Sequence, residues 1–254
     1  MDNNQQDFIR TIRSSLGRTS VCDLSEVFGT RPKDAETVLN TYTHKSESTQ
    51  DTLVNLFQEQ AGLAHITIKR IKDCSGASSA ILELVQNTQP EWGKKKSVIA
   101  WKHPLIDKLN LEKTLDKEDV TVFTTKGSAK PGAQERAKIR SQLIESYIGI
   151  TSADFGVAQS ATLVMRTRPN QPRAVSLVPS IHVAVITKDQ IIENLKELYF
   201  RLKWDPKEKE QGLTNCMTFI TGPSKTADIE LEMVYGAHGP RQLFVFVIET
   251  SGTA

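Results

Sequence analysis

Residues 64–85 read AHITIKRIKDCSGASSAILELV, and this stretch decides the fold class. Ala64, Ile66 and Ile68 alternate with polar residues, the period-two pattern of a half-buried strand, and Ser79 to Val85 then reads as a helix. The pairing recurs downstream. Ser97 to Trp101 is a strand candidate, Pro104 to Leu109 a short helix, and Val120 to Thr124 a further strand. Ala133 to Tyr147 follows as a long helix with Ala137, Arg140 and Ile144 at successive turns. Strands alternating with helices predict an α/β protein whose sheet is mostly parallel.

Upstream of this stretch the chain reads as helices. Phe8, Ile9, Ile12 and Leu16 fall at helical spacing and Gly17 can end that helix. Ser48 with Asp51 resembles a capping box, after which Leu53, Val54, Phe57 and Ala61 mark one apolar face before Gly62. Downstream the texture changes. Thr162 to Met165, His182 to Thr187, Cys216 to Thr221, Glu230 to Val234 and Leu243 to Ile248 all look like strands. One strong helix separates them, with Ile192, Leu195, Tyr199 and Leu202 on one face. Closely spaced strands are more often part of a mixed sheet than of a purely parallel one. The TRPNQP segment, Thr167 to Pro172, is too short to divide domains. The expectation is therefore a helical N-terminal extension, residues 1–62, on an α/β domain, residues 63–254.

Composition narrows the function classes. The 254 residues carry 32 Lys and Arg against 30 Asp and Glu, a formal charge of +2 that argues against a protein built to coat nucleic acid. The longest apolar run, Leu243 to Ile248, is far short of the roughly 18 residues a membrane span needs. Met1 to Gln6 is polar and lacks the form of a signal peptide. Cys22, Cys74 and Cys216 are scattered and form no CxxC pair, which speaks against iron–sulfur or zinc sites, and against a disulfide framework. A reducing, cytoplasmic setting with no cofactor held by the chain is the simplest reading.

Three loops combine small residues with chemistry-bearing side chains. Gly149 to Asp154 lead into Phe155 to Thr162, a strand-to-turn segment whose amides can approach a ligand, or a tight turn capped by Asp154. Thr221 to Asp228 follows the apolar run Met217 to Ile220. Gly222 permits a sharp turn, and Ser224, Lys225 and Thr226 can hold an anion, with Asp228 as base or hydroxyl partner. Tyr235 to Pro240 sets His238 between glycines, either as an approachable proton donor or as a solvated surface residue. A metal reading on His182, His238, Asp154 and Asp228 lacks ligand spacing, so no metal is expected. Arg166, Arg168 and Arg173 bracket Pro169 and Pro172, where they can present guanidinium forks to a carboxylate or phosphate, or simply solubilise a loop.

Taken together these loops resemble the LUD domain family. GPSKTADIELEMVYGAHGP, Gly222 to Pro240, is similar to the family's GPS-x-TADIE segment and its G-x-HGP turn. GITSADFGVAQSATLV, Gly149 to Val164, is similar to its G-x-T-x-AD-x-x-x-AETGT run, and Pro179 to His182 to its P-x-H segment. The resemblance implies a three-layer α/β/α fold with a mixed sheet, related to ribose-5-phosphate isomerase and the CoA transferases. It further implies a bacterial role in oxidising L-lactate to pyruvate alongside iron–sulfur partner proteins, with a small anionic ligand. It carries a site onto this chain: His238 and Asp228 as catalytic candidates, and Thr151, Asp154, Gln159, His182, Gly222, Ser224, Thr226 and Gly239 as ligand contacts. Pro179 and Glu230 also match the motif. Gln159 departs from it, standing where the family has a glutamate, so it cannot act as a carboxylate base, and Ala161 stands where the family has glycine. Two other readings stay open: a stand-alone enzyme acting on a sugar phosphate or acyl-CoA, and a non-catalytic scaffold or ligand sensor.

Overall fold

Strands that are apolar on both faces lie at the centre of the molecule, as a buried parallel sheet requires. The computed structural model describes residues 3–17, 29–93, 95–128, 132–210, 214, 216–227 and 233–249. In it β1 (Ile66–Ile71), β2 (Ser97–Ala100), β3 (Thr121–Thr124), β4 (Ile148–Thr151), β7 (Ile181–Thr187) and β12 (Gln242–Ile248) form one sheet, in the order β1-β12-β7-β4-β2-β3. Each neighbouring pair is parallel. Every residue of β7 is buried.

Helices cover both faces. On one, Val98, Ile148, Val183, Val185 and Phe246 pack on α4 (Cys74–Asn87) through Ala77, Ile81 and Val85, with Ile106 of α5 (Pro104–Asp107) and Leu115 of α6 (Leu111–Leu115) beside them. On the other, Ile99, Ala184, Ile186 and Val245 meet Leu53, Val54, Phe57 and Ala61 of α3 (Glu47–Leu63) and Leu143 of α7 (Ala133–Glu145).

The pairing expected to be mixed within one sheet is divided among the central sheet, a second sheet and a separate two-stranded hairpin. β5 (Phe155–Val157), β6 (Thr162–Arg166), β8 (Ile191–Ile192) and β9 (Met217–Ile220) form a second sheet in the order β8-β5-β6-β9, and the central sheet is parallel throughout. β5 runs antiparallel to β6, β6 antiparallel to β9, and β5 parallel to β8. The cause is loop length. Only Ser152–Asp154 separate β4 from β5, so the chain bends out of the central sheet and cannot cross back to it. A short helical turn, Ala158–Ser160, then reverses it into β6, with Ala161 in the left-handed conformation at φ +48° that favours glycine. The second sheet gives Leu163, Met165 and Ile191 to the core beneath α3, and Phe155, Val157 and Val164 to Leu198 of α8 (Leu195–Trp204).

Caps move several helix faces from their expected registers. α3 begins at Ser46, whose hydroxyl accepts from the Thr49 N–H at 3.2 Å, rather than at the Ser48/Asp51 pair. Asn194 accepts from the Glu197 N–H at 3.0 Å, so α8 starts after Ile192, which belongs to β8. Leu198 and Leu202 then face inward, one turn apart, and Leu195 and Tyr199 face solvent. In α7 the inner positions are Ile139 and Leu143, while Ile144 is 68% exposed. α1 (Asn3–Ser15) ends at Gly17, φ +67°, as its spacing predicts, and leaves Phe8, Ile12 and Leu16 exposed. α2 (Ala35–Thr43) leans on α8 through Tyr42 and Phe200, whose rings meet edge to face at 5.7 Å. Just beyond α2, Lys45 pairs at 2.6 Å with the buried Glu197, which also holds Arg201 at 3.0 Å. Among the described residues no helix is long and apolar enough to cross a membrane.

Candidate functional site

In open parallel sheets ligands bind beyond the carboxyl ends of the strands, where neighbouring strands send their connections in opposite directions. Here that point lies between β2, which leads outward to β3, and β4, whose chain continues toward β7 on the other side. A cavity of about 380 Å³ opens there. Trp101 and His103 come from the end of β2, Ser152 and Asp154 from the end of β4, and Gln190 from the turn after β7. Arg166 and Arg168 come from the end of β6, and Glu208 from α9 (Pro206–Glu210).

Asp154 is the hub of its charges. Its carboxylate accepts from the Arg166 backbone N–H at 2.7 Å, from Arg166 Nε at 3.0 Å and from Arg168 at 2.6 Å. Arg166, itself buried, reaches Glu208 at 2.6 Å on its other side. His103 caps α5, its Nδ1 accepting from the Leu105 N–H at 3.2 Å. Burial holds its imidazole below the usual histidine range; Asp154 pulls the other way and Arg168 adds to the lowering. The ring is thus neutral near pH 7. With Nδ1 accepting, Nε2 carries the proton.

The segment 167–172, read from the sequence as too short to divide domains and as bracketed by arginines that either meet an anion or solubilise a loop, lies along this cavity through Arg168 and Gln171. The Gln171 N–H donates to Arg168 O at 3.0 Å, and Asn170 takes φ +64° in that turn. Thr125 Oγ1 donates to Asn170 O at 2.5 Å, and Trp101 Nε1 donates to Pro172 O at 2.9 Å. Gln171 is 8% exposed; its Nε2 faces Lys102 O at 3.5 Å, and its Oε1 is buried without a hydrogen-bond partner among the described residues. Such an acceptor is a costly feature unless a ligand or water completes it.

The other residues read from the sequence fall into two further settings. Thr151 and His182 sit on adjacent strands in the core, with Thr151 Oγ1 2.8 Å from His182 Nε2. His182 is 1% exposed, and burial drives its pKa to about 3. Gly149, paired with His182 across the ladder, carries Val175 O so close that a Cβ would fall 1.9 Å from it. Ser224 and His238 belong to a different place. β10 (Lys225–Ala227) and β11 (Met233–Tyr235) form an antiparallel hairpin that pairs Thr226 with Val234. Ser224 N–H donates to Pro240 O at 2.8 Å, and Ser224 Oγ accepts from the His238 N–H at 3.3 Å. The His238 ring is exposed. Gly222, at φ +126°, passes so near the end of α3 that a Cβ would lie 2.8 Å from Ala64 O, and one on Gly239 would lie 3.3 Å from Ser224. Gln159 is exposed, its N–H donating to Glu193 O at 3.0 Å. Asp228 and Glu230 lie outside the described residues.

Sequence reading therefore found Asp154 and the arginines but missed His103, Gln171, Gln190 and Glu208. A His-Pro pair closing a strand was a usable signal for His103. Glu208 lies in a charge-rich run that looks solvated. Among the described residues no three His, Cys, Asp or Glu side chains gather as metal ligands do.

The model of the LUD domain matches residues 54–248, from within α3 to the last residue of β12. The chain belongs to the LUD domain family. Relatives of this LUD chain include Lactate utilization protein C of Halalkalibacterium halodurans, 29% identical over 98% of this chain and 99% of the relative. The protein of the same name from Shouchella clausii is 26% identical over 98% and 99%, and that from Geobacillus kaustophilus 30% identical over 78% and 79%. A crystal structure of a duf162 family protein from Deinococcus radiodurans superposes with a TM-score of 0.52 at 19% identity, covering 78% of this chain and 98% of that one. That likeness supports the LUD fold described above.

Proposed function

We propose that the protein serves lactate utilisation, acting in the oxidation of L-lactate to pyruvate together with iron–sulfur partner proteins. The observation that carries this reading is similarity along nearly the whole chain to relatives named Lactate utilization protein C, rather than over one motif. The composition is compatible with it, since the three cysteines are too scattered to hold a cluster and electron transfer would fall to the partners. Within this role His238, exposed on its turn, is the candidate for proton transfer with Asp228, and Asp154 organises the ligand cavity. We also take residues 1–62 as a helical extension of the α/β unit at 63–254, with α3 as the element that joins them.

Deleting the gene and growing the strain on L-lactate as sole carbon source tests the role. Loss of growth, restored by the gene in trans, is the expected result, together with co-purification of iron-containing partners. Normal growth on L-lactate without the gene overturns it.

A further inference from the structure

Two cavities of about 380 Å³ open at the carboxyl edge of the central sheet, and Trp101 lines both. Their charges differ. At Asp154 each formal charge already has a partner, since Arg166 bridges Asp154 and Glu208 and Arg168 bonds Asp154. The other cavity lies between the ends of β2 and β3 and the short helices α5 and α6. On its rim Lys102 and Asp107 pair at 2.6 Å. Lys113 of α6 and Lys126, just beyond β3, also line it, and neither ammonium group has a partner among the described residues. Both stand on fixed backbone. Asn110, at φ +48°, turns the chain from α5 into α6, where Leu111 and Leu115 are buried and Lys113 is left exposed. The loop is pinned on either side of Lys126. Thr125 Oγ1 donates to Asn170 O at 2.5 Å and accepts from the Lys102 N–H at 3.1 Å. Glu135 accepts from the Ser128 N–H at 2.7 Å and from Ser128 Oγ at 2.8 Å.

We propose that this cavity between β2 and β3 binds an organic phosphate monoester, its terminal oxygens held by Lys113, Lys126 and the half-buried Thr124 hydroxyl. Charge selects an anion. Three lysines face Asp107 and Glu112 there, and once Lys102 and Asp107 cancel, two cations stand against one acid. Donor type then selects phosphate. A phosphate monoester carries about −1.5 to −2 charges near neutral pH and three acceptor oxygens, one for each ammonium group and one for the hydroxyl. A carboxylate has only two oxygens and is best met by an arginine fork, which this cavity lacks. Lysine meets phosphate as a point charge, and two of them on separate elements suit an ion without a single plane. Size calls for an organic body. At roughly 30 Å³ per water the cavity has the space of about a dozen waters, far more than inorganic phosphate fills. Val122, with Ile106 and Leu111 beneath it, is where that body would rest. Nothing in this proposal depends on the lactate-utilisation reading.

Calorimetric titration of the purified chain with phenyl phosphate, glucose 6-phosphate, benzoate and inorganic phosphate tests this. The two esters share the phosphate and differ in body, so the tighter of them tells whether an apolar or a sugar body fills the cavity. That ester is expected to bind about tenfold more tightly than benzoate or inorganic phosphate. Lys113→Gln and Lys126→Gln should each weaken it about fivefold or more. Glu112→Gln should tighten it about threefold, because it removes the acid that opposes the ligand, a gain no purely structural role would give. All three side chains are exposed, so the variants are expected to melt as the wild type does. A second readout is acetylation of lysines followed by mass spectrometry, in which the ester should shield Lys113 and Lys126 but not Lys138, exposed on α7. No saturable binding of either ester, benzoate binding as tightly as the ester, undiminished binding in both lysine variants, or unchanged acetylation of Lys113 and Lys126 overturns the site.

Discussion

Two clusters of buried charge, one around Glu197 and one around Asp154, are built from the same residue types and end differently. Glu197 is wholly buried between Lys45 and Arg201, and its second oxygen accepts from the Glu193 N–H at 2.9 Å. Burial pushes the Lys45 ammonium below its usual range, and Glu197 pulls it back. The cluster joins the segment after α2 to α8. Around Asp154 the ions are as well paired, but they face a cavity and leave Gln171 Oε1 uncompleted. Buried charge alone does not mark a site. What separates the two is the space the Asp154 charges face, since the Glu197 cluster also keeps a buried donor, Arg201 Nε, without a hydrogen-bond partner among the described residues.

The comparison breaks most easily at Glu197. Glu197→Gln leaves two buried cations without their counter-ion and should cost about 4 kcal/mol, a fall of roughly 10 °C in melting temperature. A loss under 1 kcal/mol would erase the distinction drawn for this cluster.

The neutral buried pair Thr151–His182 gives a pH-dependent counterpart. Its depressed pKa, about 3, means that the unfolded chain takes up the proton first. Stability is therefore full above about pH 6.5 and falls as the pH drops toward 3, by at most about 1.4 kcal/mol per unit. His103, lowered for the same reason, adds with the same sign. Urea melts of the wild type and His182→Gln between pH 7 and 4.5 should show a shallower slope in the variant.

At the cavity the expected stability effects are smaller. Asp154→Asn weakens charge-assisted bonds to both arginines and should cost about 2 kcal/mol in denaturant melts. Gln171→Met removes an unpaired buried acceptor and its long contact to Lys102 O. It should leave stability unchanged or raise it by up to about 1 kcal/mol, the opposite sign from an ordinary core substitution. Arg168→Met removes one of the two guanidinium partners of the buried Asp154 and should cost less than Asp154→Asn, about 1 kcal/mol in the same melts.

Much of this architecture was legible in the sequence, because burial on two faces forces long apolar strands such as Leu243 to Ile248 and one face forces spaced patterns such as Leu53, Val54, Phe57 and Ala61. Helix faces were less so. Leu198 rather than Tyr199 points inward because Asn194 sets where α8 begins, and a cap choice among several polar residues leaves little trace in periodicity. The division into two sheets was hidden in a three-residue connection. Asp154 and the two arginines could be singled out as chemistry near a strand end. Gln171, Gln190 and Glu208 could not, since their roles come from contacts between segments far apart in the chain. The glycines of the strongest motif are explained by close backbone approaches, Gly222 to Ala64 and Gly239 to Ser224, as much as by any ligand.

The position of β12 has a consequence for synthesis. Among the described strands it is the last in chain order, yet it lies between β1 and β7, in register from Ile66 with Leu243 to Ile71 with Ile248. β1 leaves the ribosome with no neighbour in the central sheet until residues 72–241 have followed it, a wait of roughly 10–30 s at ordinary elongation rates. Throughout that interval the apolar face of α3 has no finished sheet to cover. The central sheet closes only when β12 arrives, and a chain stopped short of Gln242 is left with β1 parted from the four strands β7-β4-β2-β3 rather than with a smaller version of the fold.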